Sequence, residues 1–295
     1  MSRDALLVTH TGRWDMVDRA REVSDLLLSA GFQVRMLEEE AADLGVTDVK
    51  AVSPDESAAA GCEVVLVLGG DGTFLRAAEL ARPARAALLG VNLGRVGFLT
   101  ETEPEALPDT VRHIVERSYR VEERLTLDVD VTVGERVVAR DWALNEASVE
   151  KTKRERMLEV ALEIDDRPLT SFGCDGVVCA SPTGSTAYAF SAGGPVVWPG
   201  VEALLLVPIS AHALFSRALV TAPTSTIVIE LDPHASAAVL SCDGRRVFDI
   251  PAGGRITVCR GNPPVRVARL RPQPFTDRLV AKFGLPVAGW RADMD

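Results

Sequence analysis

The feature that most constrains the fold of this chain is an apolar run that ends directly in a glycine-rich turn. Val64 to Leu68 reads Val-Val-Leu-Val-Leu, and residues 69–73, Gly-Gly-Asp-Gly-Thr, follow at once. A short run of Val and Leu closed by glycine is typical of a buried parallel strand. The stretch from Thr73 to Leu80 has the composition of a helix. The sequence therefore predicts a strand-to-helix turn at residues 69–73.

Such a turn suits a phosphate group. Glycine lacks a Cβ atom and lets the backbone approach a ligand closely, and the following helix offers unpaired N–H groups and about half a positive charge. We therefore predict a phosphate loop formed by Gly69, Gly70, Gly72 and Thr73. The Asp71 carboxylate would hold a metal or accept a proton from a hydroxyl that attacks phosphorus. On these residues alone, a plain turn with a capped helix remains open.

The first 120 residues alternate between strand and helix signals. Strands are predicted at Ala5–Val8, Phe32–Leu37, Val64–Leu68 and Ala86–Val91, and helices at Trp14–Ala30, Thr73–Leu80 and Pro104–Arg117. The polar stretch Glu38–Ser57 is predicted to be a surface connection. This alternation indicates an α/β domain with a doubly wound parallel sheet over residues 1–120. Ligands bind such sheets beyond the carboxyl ends of the strands, where the glycine-rich turns at 69–72 and 94–97 fall.

The pattern changes near Glu122, where short apolar stretches begin to alternate with turn signals. These stretches are Leu125–Val133, Val137–Val149, Leu158–Ile164, Val177–Ala180, Leu204–Ile209, Thr226–Leu231, Ala237–Cys242, Arg255–Arg260 and Val265–Leu270. Short apolar runs of this kind predict an all-β domain, assigned to residues 121–272. A helix is predicted at Pro274–Phe283, within a segment, 273–295, that returns to the first domain.

Composition excludes several classes of protein. No stretch of 18 apolar residues indicates a membrane span, and the N-terminus lacks a secretion signal, so a cytoplasmic protein is expected. The net charge of −10 is unlike that of a nucleic-acid binder. Five scattered cysteines without a CxxC pair argue against a disulfide framework and against a zinc site.

A second cluster of polar residues lies in the predicted β domain. Hydroxyl groups are dense in one short segment, at Ser181, Thr183, Ser185, Thr186, Tyr188 and Ser191. They would hold a nucleoside, with Tyr188 stacking on a ring or contacting a phosphate, or would cap a short helix. Asn145 and Glu146 follow an apolar strand and would bind ribose hydroxyls and an amide edge. The alternative for this pair is an ordinary polar strand end.

Taken together, these motifs resemble the NAD kinase family. The resemblance rests on residues 69–73, Asn-x-Gly-x-x-Gly-Phe-Leu at 92–99, Asn-Glu at 145–146, Asp-Gly at 175–176, the hydroxyl-rich segment through 195, Pro-Ile-x-x-His at 208–212 and Asp-Gly at 243–244. It spans nearly the whole chain. The first motif is shared with diacylglycerol and sphingosine kinases, and loosely with phosphofructokinases, whereas the segment 175–195 is more specific. The fold it implies is that of NAD and diacylglycerol kinases.

The resemblance implies transfer of the γ-phosphate of ATP, or of phosphate from polyphosphate, to the 2′-hydroxyl of the adenosine ribose of NAD. The proton acceptor is Asp71, and a divalent cation such as Mg²⁺ assists without a fixed protein site. The implied NAD-binding residues are Asp71, Gly72, Arg76, Asn145, Glu146, Asp175, Thr186, Ala187, Tyr188 and Ser191, with Gly173 and His212 as further candidates. Family members are homo-oligomers, so a dimer or tetramer is expected.

Some positions depart from the common pattern of the family. Gly173 stands where some members carry Arg, and the smaller residue would leave room for the puckered ring of NADH, which predicts that NADH is also a substrate. Arg245 stands where Gln is common, so that contact is not carried over. Two other functions stay open: a lipid kinase with the same loop, and an NAD-binding regulator without activity. The chain has no GxxxxGK[ST] P-loop.

Overall fold

The computed structural model describes residues 3–10, 16–92, 97–100, 107–152, 156–234, 236–271 and 274–287. The chain forms two compact units. The first, here the α/β unit, comprises Met1–Glu123 and Val265–Asp295, and the second, the β unit, comprises Arg124–Pro264.

The helices and strands follow one another along the chain as follows. The strands are β1 (Arg3–Thr9), β2 (Phe32–Leu37), β3 (Lys50–Val52), β4 (Val64–Leu68), β5 (Ala87–Val91), β6 (Arg120–Arg124), β7 (Leu127–Val133), β8 (Arg136–Ala143), β9 (Glu146–Lys151), β10 (Leu158–Ile164), β11 (Arg167–Cys174), β12 (Gly176–Ala180), β13 (Leu204–Ile209), β14 (Leu219–Thr221), β15 (Ile227–Leu231), β16 (Ala238–Cys242), β17 (Arg246–Ile250), β18 (Gly254–Arg260) and β19 (Val265–Arg269). The helices are α1 (Met16–Ser29), α2 (Glu38–Leu44), α3 (Asp71–Ala84), α4 (Leu107–Glu116), α5 (Tyr188–Ser191) and α6 (Phe275–Phe283), with a 3₁₀ turn at Gly184–Thr186.

The α/β unit is built on a seven-stranded sheet in the order β3-β2-β1-β4-β5-β19-β6. The pairs from β3 through to β19 are parallel. Every residue of β4 and β5 is buried, as expected for strands covered on both faces. The predicted α/β fold with a doubly wound parallel sheet is confirmed, and it places the turn after β4 at the carboxyl edge of the sheet.

One predicted surface connection is wrong. Within Glu38–Ser57 the structure has the helix α2, closed by Gly45 in the left-handed conformation, and the edge strand β3. Glu40, Ala41 and Leu44 are buried, and their spacing of one and three residues places them on one helix face. The acidic residues at the start of α2 also suit a helix N-terminus. The many charges of this segment concealed its short apolar face.

A second difference concerns Val265–Leu270, which the sequence pattern assigned to the β domain. In the structure, β19 joins the sheet of the α/β unit between β5 and β6 and runs parallel to β5. Val265, Val267 and Ala268 are buried there. A short apolar stretch predicts a strand but not its sheet, because pairing with β5 depends on residues far away in sequence.

The predicted helices of the α/β unit agree with the structure within the described residues. The first two residues of Trp14–Ala30 and the first three of Pro104–Arg117 lie outside the described part of the chain. None of the described helices has the length and apolar character needed to cross a membrane.

The β unit contains two six-stranded sheets, ordered β11-β10-β15-β18-β7-β8 and β14-β13-β12-β9-β16-β17. Their strand pairs are antiparallel. Buried side chains from both sheets form one core, including Leu127, Val149, Leu240 and Ile256. The other face of the second sheet packs against α5 through Ala189. The predicted β-rich second domain is confirmed.

Candidate functional site

The glycine-rich turn of the α/β unit connects β4 directly to α3. Gly70 is the N-cap of the helix, and Phe74 N donates to its carbonyl oxygen at 3.0 Å. A Cβ atom at Gly69 would lie 2.6 Å from Oγ1 of Thr73, a buried side chain. Glycine therefore allows the helix to begin this close to the strand. The N–H groups of the first helical turn lack intrahelical acceptors and are available to an anion.

The carboxylate of Asp71 is held by the loop at residues 97–100. Phe98 N donates to Oδ2 and Leu99 N to Oδ1, each at 3.1 Å. A Cβ atom at Gly97 would lie 2.3 Å from Asp71 Oδ1, so only glycine lets the carboxylate come this close. Each carboxylate oxygen has two lone pairs, so both can still accept a bond from a substrate hydroxyl.

The C-terminal part of the α/β unit supports that loop. Arg278 of α6 donates through Nη1 to Phe98 O at 2.7 Å and to Thr100 O at 3.3 Å. Arg269, the last residue of β19, donates to Leu99 O at 3.3 Å. The Phe98 ring lies 5.9 Å and 5.8 Å, between centroids, from two phenylalanines of α6. Sequence reasoning missed this support, because neither arginine belongs to a recognisable motif.

Arg76 is tied to the end of β1. Its Nη2 donates to Thr9 O at 2.7 Å and forms an ion pair with Glu40, whose Oε2 accepts a bond from Thr9 N at 2.8 Å. The Glu40 side chain is 2% exposed, and its burial raises its pKa against the opposing effect of Arg76. One third of the Arg76 side chain stays exposed. Glu40 was missed because a run of three glutamates does not reveal which one points inward.

In the β unit, Asn145 and Glu146 lie at the junction of β8 and β9. The N–H groups of Leu144, Asn145 and Glu146 donate to the carboxylate of Asp243 at 2.9, 2.7 and 3.3 Å. Asp243 N in turn donates to Glu146 O at 2.9 Å. One buried carboxylate thus fixes three consecutive peptide groups of this turn.

The charge of Asp243 is balanced by Arg246. Arg246 Nη2 donates to Asp243 Oδ2 at 3.2 Å and to Trp142 O at 2.6 Å, while its Nε lies 3.0 Å from both carboxylate oxygens of Asp141. The guanidinium carbon lies 5.0 Å from the centroid of the Trp142 ring. This network extends the support of the Asn145–Glu146 turn into β8 and β17.

Glu146 is a buried acid next to Asp243. Burial first, and the charge of Asp243 second, raise the pKa of Glu146 to about 8, against one lowering hydrogen bond from Tyr188 N at 3.4 Å. Burial also raises the pKa of Asp243. Three N–H donors and Arg246 favour the charged form of Asp243, however, so the proton of the pair resides on Glu146.

The hydroxyl-rich turn after β12 packs against the same junction. Ser181 N donates to Asn145 O at 2.9 Å, and Ser181 Oγ donates to Leu144 O at 2.5 Å. A Cβ atom at Gly184 would lie 2.0 Å from Asn145 O. Ser185 Oγ is engaged within its own turn, and both serines are buried. These two hydroxyls hold the turn, and Thr186 Oγ1 adds a longer bond to Thr183 O at 3.4 Å.

The remaining predicted residues of this segment lie around the 3₁₀ turn and α5. Thr186 and Ala187 are half-buried, whereas Tyr188 and Ser191 are exposed. Tyr188 Oη donates to Glu150 Oε2 at 3.1 Å. The Tyr188 ring and the Glu146 carboxyl are therefore on the same side of β9, since residues 146 and 150 share a face of the strand.

Asp175, Gly173 and His212 lie together at the turn between β11 and β12. Asp175 forms an ion pair with Lys151, which, with smaller contributions from Ser210 and His212, lowers its pKa. His212 N donates to Gly173 O at 2.8 Å, and the His212 side chain is exposed. The atoms nearest to a Cβ atom at Gly173 would be the flexible ends of two side chains, Glu159 at 2.9 Å and Met157 at 3.1 Å.

Part of the predicted site lies outside the described residues. Of the motif at 92–99, residues 93–96, including Gly94, belong to that part. Among the residues that are described, no group of three or more His, Cys, Asp and Glu side chains is arranged to hold a metal ion.

Comparison with known proteins identifies the family. Residues 5–119 match the ATP-NAD kinase N-terminal domain, and residues 144–270 match the ATP-NAD kinase C-terminal domain. The NAD kinase of Thermobifida fusca is 59% identical over 98% of this chain and 92% of its own length. NAD kinase 2 of Streptomyces avermitilis is 58% identical, over 98% and 97% of the two chains.

Two solved structures have the same fold. The crystal structure of yeast NADH kinase complexed with NADH superposes with a TM-score of 0.87 at 21% identity, covering 97% of this chain and 89% of that one. The structure of an NAD kinase from Archaeoglobus fulgidus in complex with ATP superposes with a TM-score of 0.73 at 26% identity, covering 95% and 98%. With relatives above 50% identity over nearly its full length, the chain belongs to the NAD kinase family of phosphotransferases.

Proposed function

We propose that this chain transfers the γ-phosphate of ATP to the 2′-hydroxyl of the adenosine ribose of NAD, producing NADP and ADP. The observation that carries the proposal is the Asp71 carboxylate, held by two N–H groups at the first turn of α3. A proton acceptor at the start of a helix, where phosphates bind, is the arrangement that such a transfer needs.

Asp71 acts on the attacking hydroxyl. Its carboxylate orients the 2′-hydroxyl and takes the proton as the new bond from the ribose oxygen to the γ-phosphorus forms. The bond from that phosphorus to the bridging oxygen breaks, and ADP leaves. Because phosphoryl transfer passes through a loose transition state, positioning and charge neutralisation supply most of the catalysis. The Phe98 and Leu99 N–H groups supply that positioning.

The phosphate loop binds the donor. Gly69, Gly70, Gly72 and Thr73 bring the N-terminal N–H groups of α3 to the phosphates of ATP. Polyphosphate presents the same phosphoanhydride bond, and we include it as a second donor.

A divalent cation, Mg²⁺, fits these residues. Mg²⁺ keeps several waters and binds substrate phosphates with one or two carboxylates, so a single acid beside the phosphate loop suffices. When bound, it would neutralise charge on the phosphates. The donor phosphates and the turn at residues 69–73 would hold it, without a fixed protein site.

The β unit is proposed to bind NAD. Asn145 and Glu146 take ribose hydroxyls, and the exposed Tyr188 ring offers a surface for stacking. The further NAD-binding residues proposed in this unit are Asp175, Thr186, Ala187, Ser191 and His212, and Gly72 and Arg76 are proposed from the α/β unit. Support comes from the Asn145–Glu146 turn, whose backbone is fixed by Asp243 and whose Glu146 carboxyl is kept neutral by burial.

NADH is proposed as a second acceptor. Gly173 presents no side chain, and its nearest neighbours in the direction of a Cβ atom are flexible side-chain ends. These flexible ends, from Glu159 and Met157, can swing aside to admit a reduced, puckered nicotinamide ring. An NADH rate below a few per cent of the NAD rate would refute this part of the proposal.

We further propose a homo-oligomer, dimer or tetramer, working in the cytoplasm, where ATP and NAD are available. In the segment of the β unit that leads from α5 to the edge strand β14, several large apolar side chains are exposed: Trp198, Val201, Leu214, Phe215 and Val220. Large exposed apolar side chains are common at subunit interfaces. Light scattering of the purified protein would measure the mass, and cell fractionation the compartment.

The experiment that tests the function measures NADP formed from NAD with MgATP or polyphosphate. Asp71→Asn should lower kcat by roughly 10²–10⁴-fold, the usual contribution of a general base. Asp25→Asn, an exposed position on α1, is the matched control. Near wild-type turnover of a folded Asp71→Asn variant would remove Asp71 from the role.

The wild-type assay also separates the two other functions. NAD binding without NADP formation would favour a regulator. Absence of NAD binding would favour a lipid kinase. NADP that depends on the donor and on Asp71 supports the proposal.

A further inference from the structure

One buried acid that is not among the proposed NAD-binding residues binds the backbone of two of them. Asp243 lies in the turn between β16 and β17, with a φ of 55° and a side chain that is 1% exposed. Its two oxygens accept N–H bonds from Leu144, Asn145 and Glu146. The carboxylate therefore links its own turn to the neighbouring β8–β9 junction.

We propose that Asp243 is a positioning residue for NAD: its carboxylate holds the Asn145–Glu146 turn in the shape that binds the ribose. The inference rests on the proposed function, in which Asn145 and Glu146 contact NAD. It assigns Asp243 no contact with the substrate and no step in the transfer.

The geometry argues for positioning in addition to folding. The three N–H groups belong to consecutive residues, so a shift of the carboxylate moves the amide of Asn145 and the carboxyl of Glu146 together. The bond from Asp243 N to Glu146 O closes the contact from the other side. Asp243 therefore holds this turn with hydrogen bonds that it accepts through its carboxylate and one that it donates through its own N–H.

Arg246 keeps Asp243 in place and charged. Its guanidinium is shared between Asp243 and Asp141, and its contact with Trp142 O fixes the direction of approach. Ion pairs with low exposure hold their geometry better than exposed ones. Here the Arg246 and Asp243 side chains are 21% and 1% exposed.

The charge on Asp243 also acts on Glu146. The groups that face Glu146 are Asp243 from the β16–β17 turn and Tyr188 from α5, with Glu150 further along β9 and Arg246 behind Asp243. Since Asp243 carries the negative charge, Glu146 keeps its proton near neutral pH. Ionising Glu146 would place two like charges in one buried turn and open it.

The test compares the pH dependence of kcat/KM for NAD in wild type and in Asp243→Asn. In wild type, kcat/KM should fall above a break near the pKa of Glu146, about 8, because this ratio reports the groups of the free enzyme. In Asp243→Asn the break should move down by at least about one pH unit. At pH 7 the KM for NAD should rise about tenfold or more, and the KM for MgATP should stay within about twofold.

A matched control removes a comparable carboxylate elsewhere in the β unit. Asp165 also has a positive φ, and it accepts bonds from Thr226 N at 2.8 Å and Ser225 Oγ at 3.1 Å. Asp165→Asn should change thermal stability without changing either KM or the pH break.

A second variant covers the case in which Asp243→Asn does not fold. Arg246→Lys keeps one positive charge but loses the shared guanidinium contacts, and the KM for NAD should rise about three- to tenfold. An unchanged KM for NAD in Arg246→Lys, or an unmoved pH break in folded Asp243→Asn, would overturn the inference. A wild-type protein that forms no NADP would instead refute the proposed function itself.

Discussion

At the scale of single residues, the position of the Asp71 carboxylate depends on the absence of one carbon atom. Gly97 leaves the space that Oδ1 occupies, and a Cβ atom there would lie 2.3 Å from it. No contact between nonbonded carbon and oxygen tolerates that distance, so one of the two groups must move. The loop at 97–100 is held by Arg269 and Arg278, which leaves the carboxylate as the group that moves.

Gly97→Ala should therefore impair catalysis more than binding. We expect kcat to fall about 10- to 100-fold, since small misplacements of a catalytic group cost this much, with the KM for NAD within about threefold. Steady-state kinetics of the purified variant provide the measurement. Gly200→Ala, where a Cβ atom meets nothing within 4 Å, should behave like wild type. A Gly97→Ala enzyme with full kcat would show that Asp71 has another stable position.

Glu146 makes stability depend on pH in a definite direction. Its pKa is about 8 in the folded chain, against an ordinary value of 4.5. Between these two values the folded state holds a proton that the unfolded state has released, so stability falls as pH rises from about 4.5 to about 8. Below that window Glu146 is neutral in both states and contributes no pH dependence.

Glu146→Gln removes the ionisable group, and with it this fall in stability, while keeping the shape of the side chain. The free energy of unfolding of the variant should equal that of wild type near pH 4.5. As pH rises it should exceed the wild-type value by a growing margin, which reaches about 2–4 kcal/mol above pH 8. Calorimetry of both proteins between pH 5 and pH 9 measures the difference in melting temperature. A difference that does not change with pH would contradict a buried, neutral Glu146.

At the scale of elements, the sequence predicted those parts that depend on neighbours along the chain. The turn after β4 was predicted from the apolar run and the glycines, because strand, turn and helix signals are all local. The hydroxyl-rich turn after β12 was found, but not the division of its roles. Ser181 and Ser185 turn inward to hold the backbone, and no local signal separates them from Thr186.

The elements that were missed depend on contacts between distant segments. The place of β19 in the sheet depends on its pairing with β5, some 180 residues earlier in the chain. The inward direction of the Glu40 side chain depends on its contacts with Thr9 and Arg76. Asp243 was noted only as part of a motif, since its partners lie near residue 145. Such residues become visible only when the fold brings the segments together.

At the scale of the whole molecule, the two units differ in how the chain builds them. The β unit is one continuous stretch, Arg124–Pro264, whereas the α/β unit needs two separate stretches. The second stretch supplies β19, which lies between β5 and β6 in the sheet, and α6, which supports the loop at 97–100. Without this second stretch, the sheet loses an internal strand, the one between β5 and β6, and not an edge strand.

The isolated fragments should therefore behave differently. Residues 124–264 should fold alone with a cooperative thermal transition, because their sheets and core are complete. Residues 1–123 alone should lack such a transition, since β5 loses the strand that pairs with its edge. Joining 1–123 to 265–295 through a linker of about ten Gly and Ser residues should restore it. Circular dichroism on heating measures all three, and a cooperative transition in 1–123 alone would show that β19 is dispensable for the sheet.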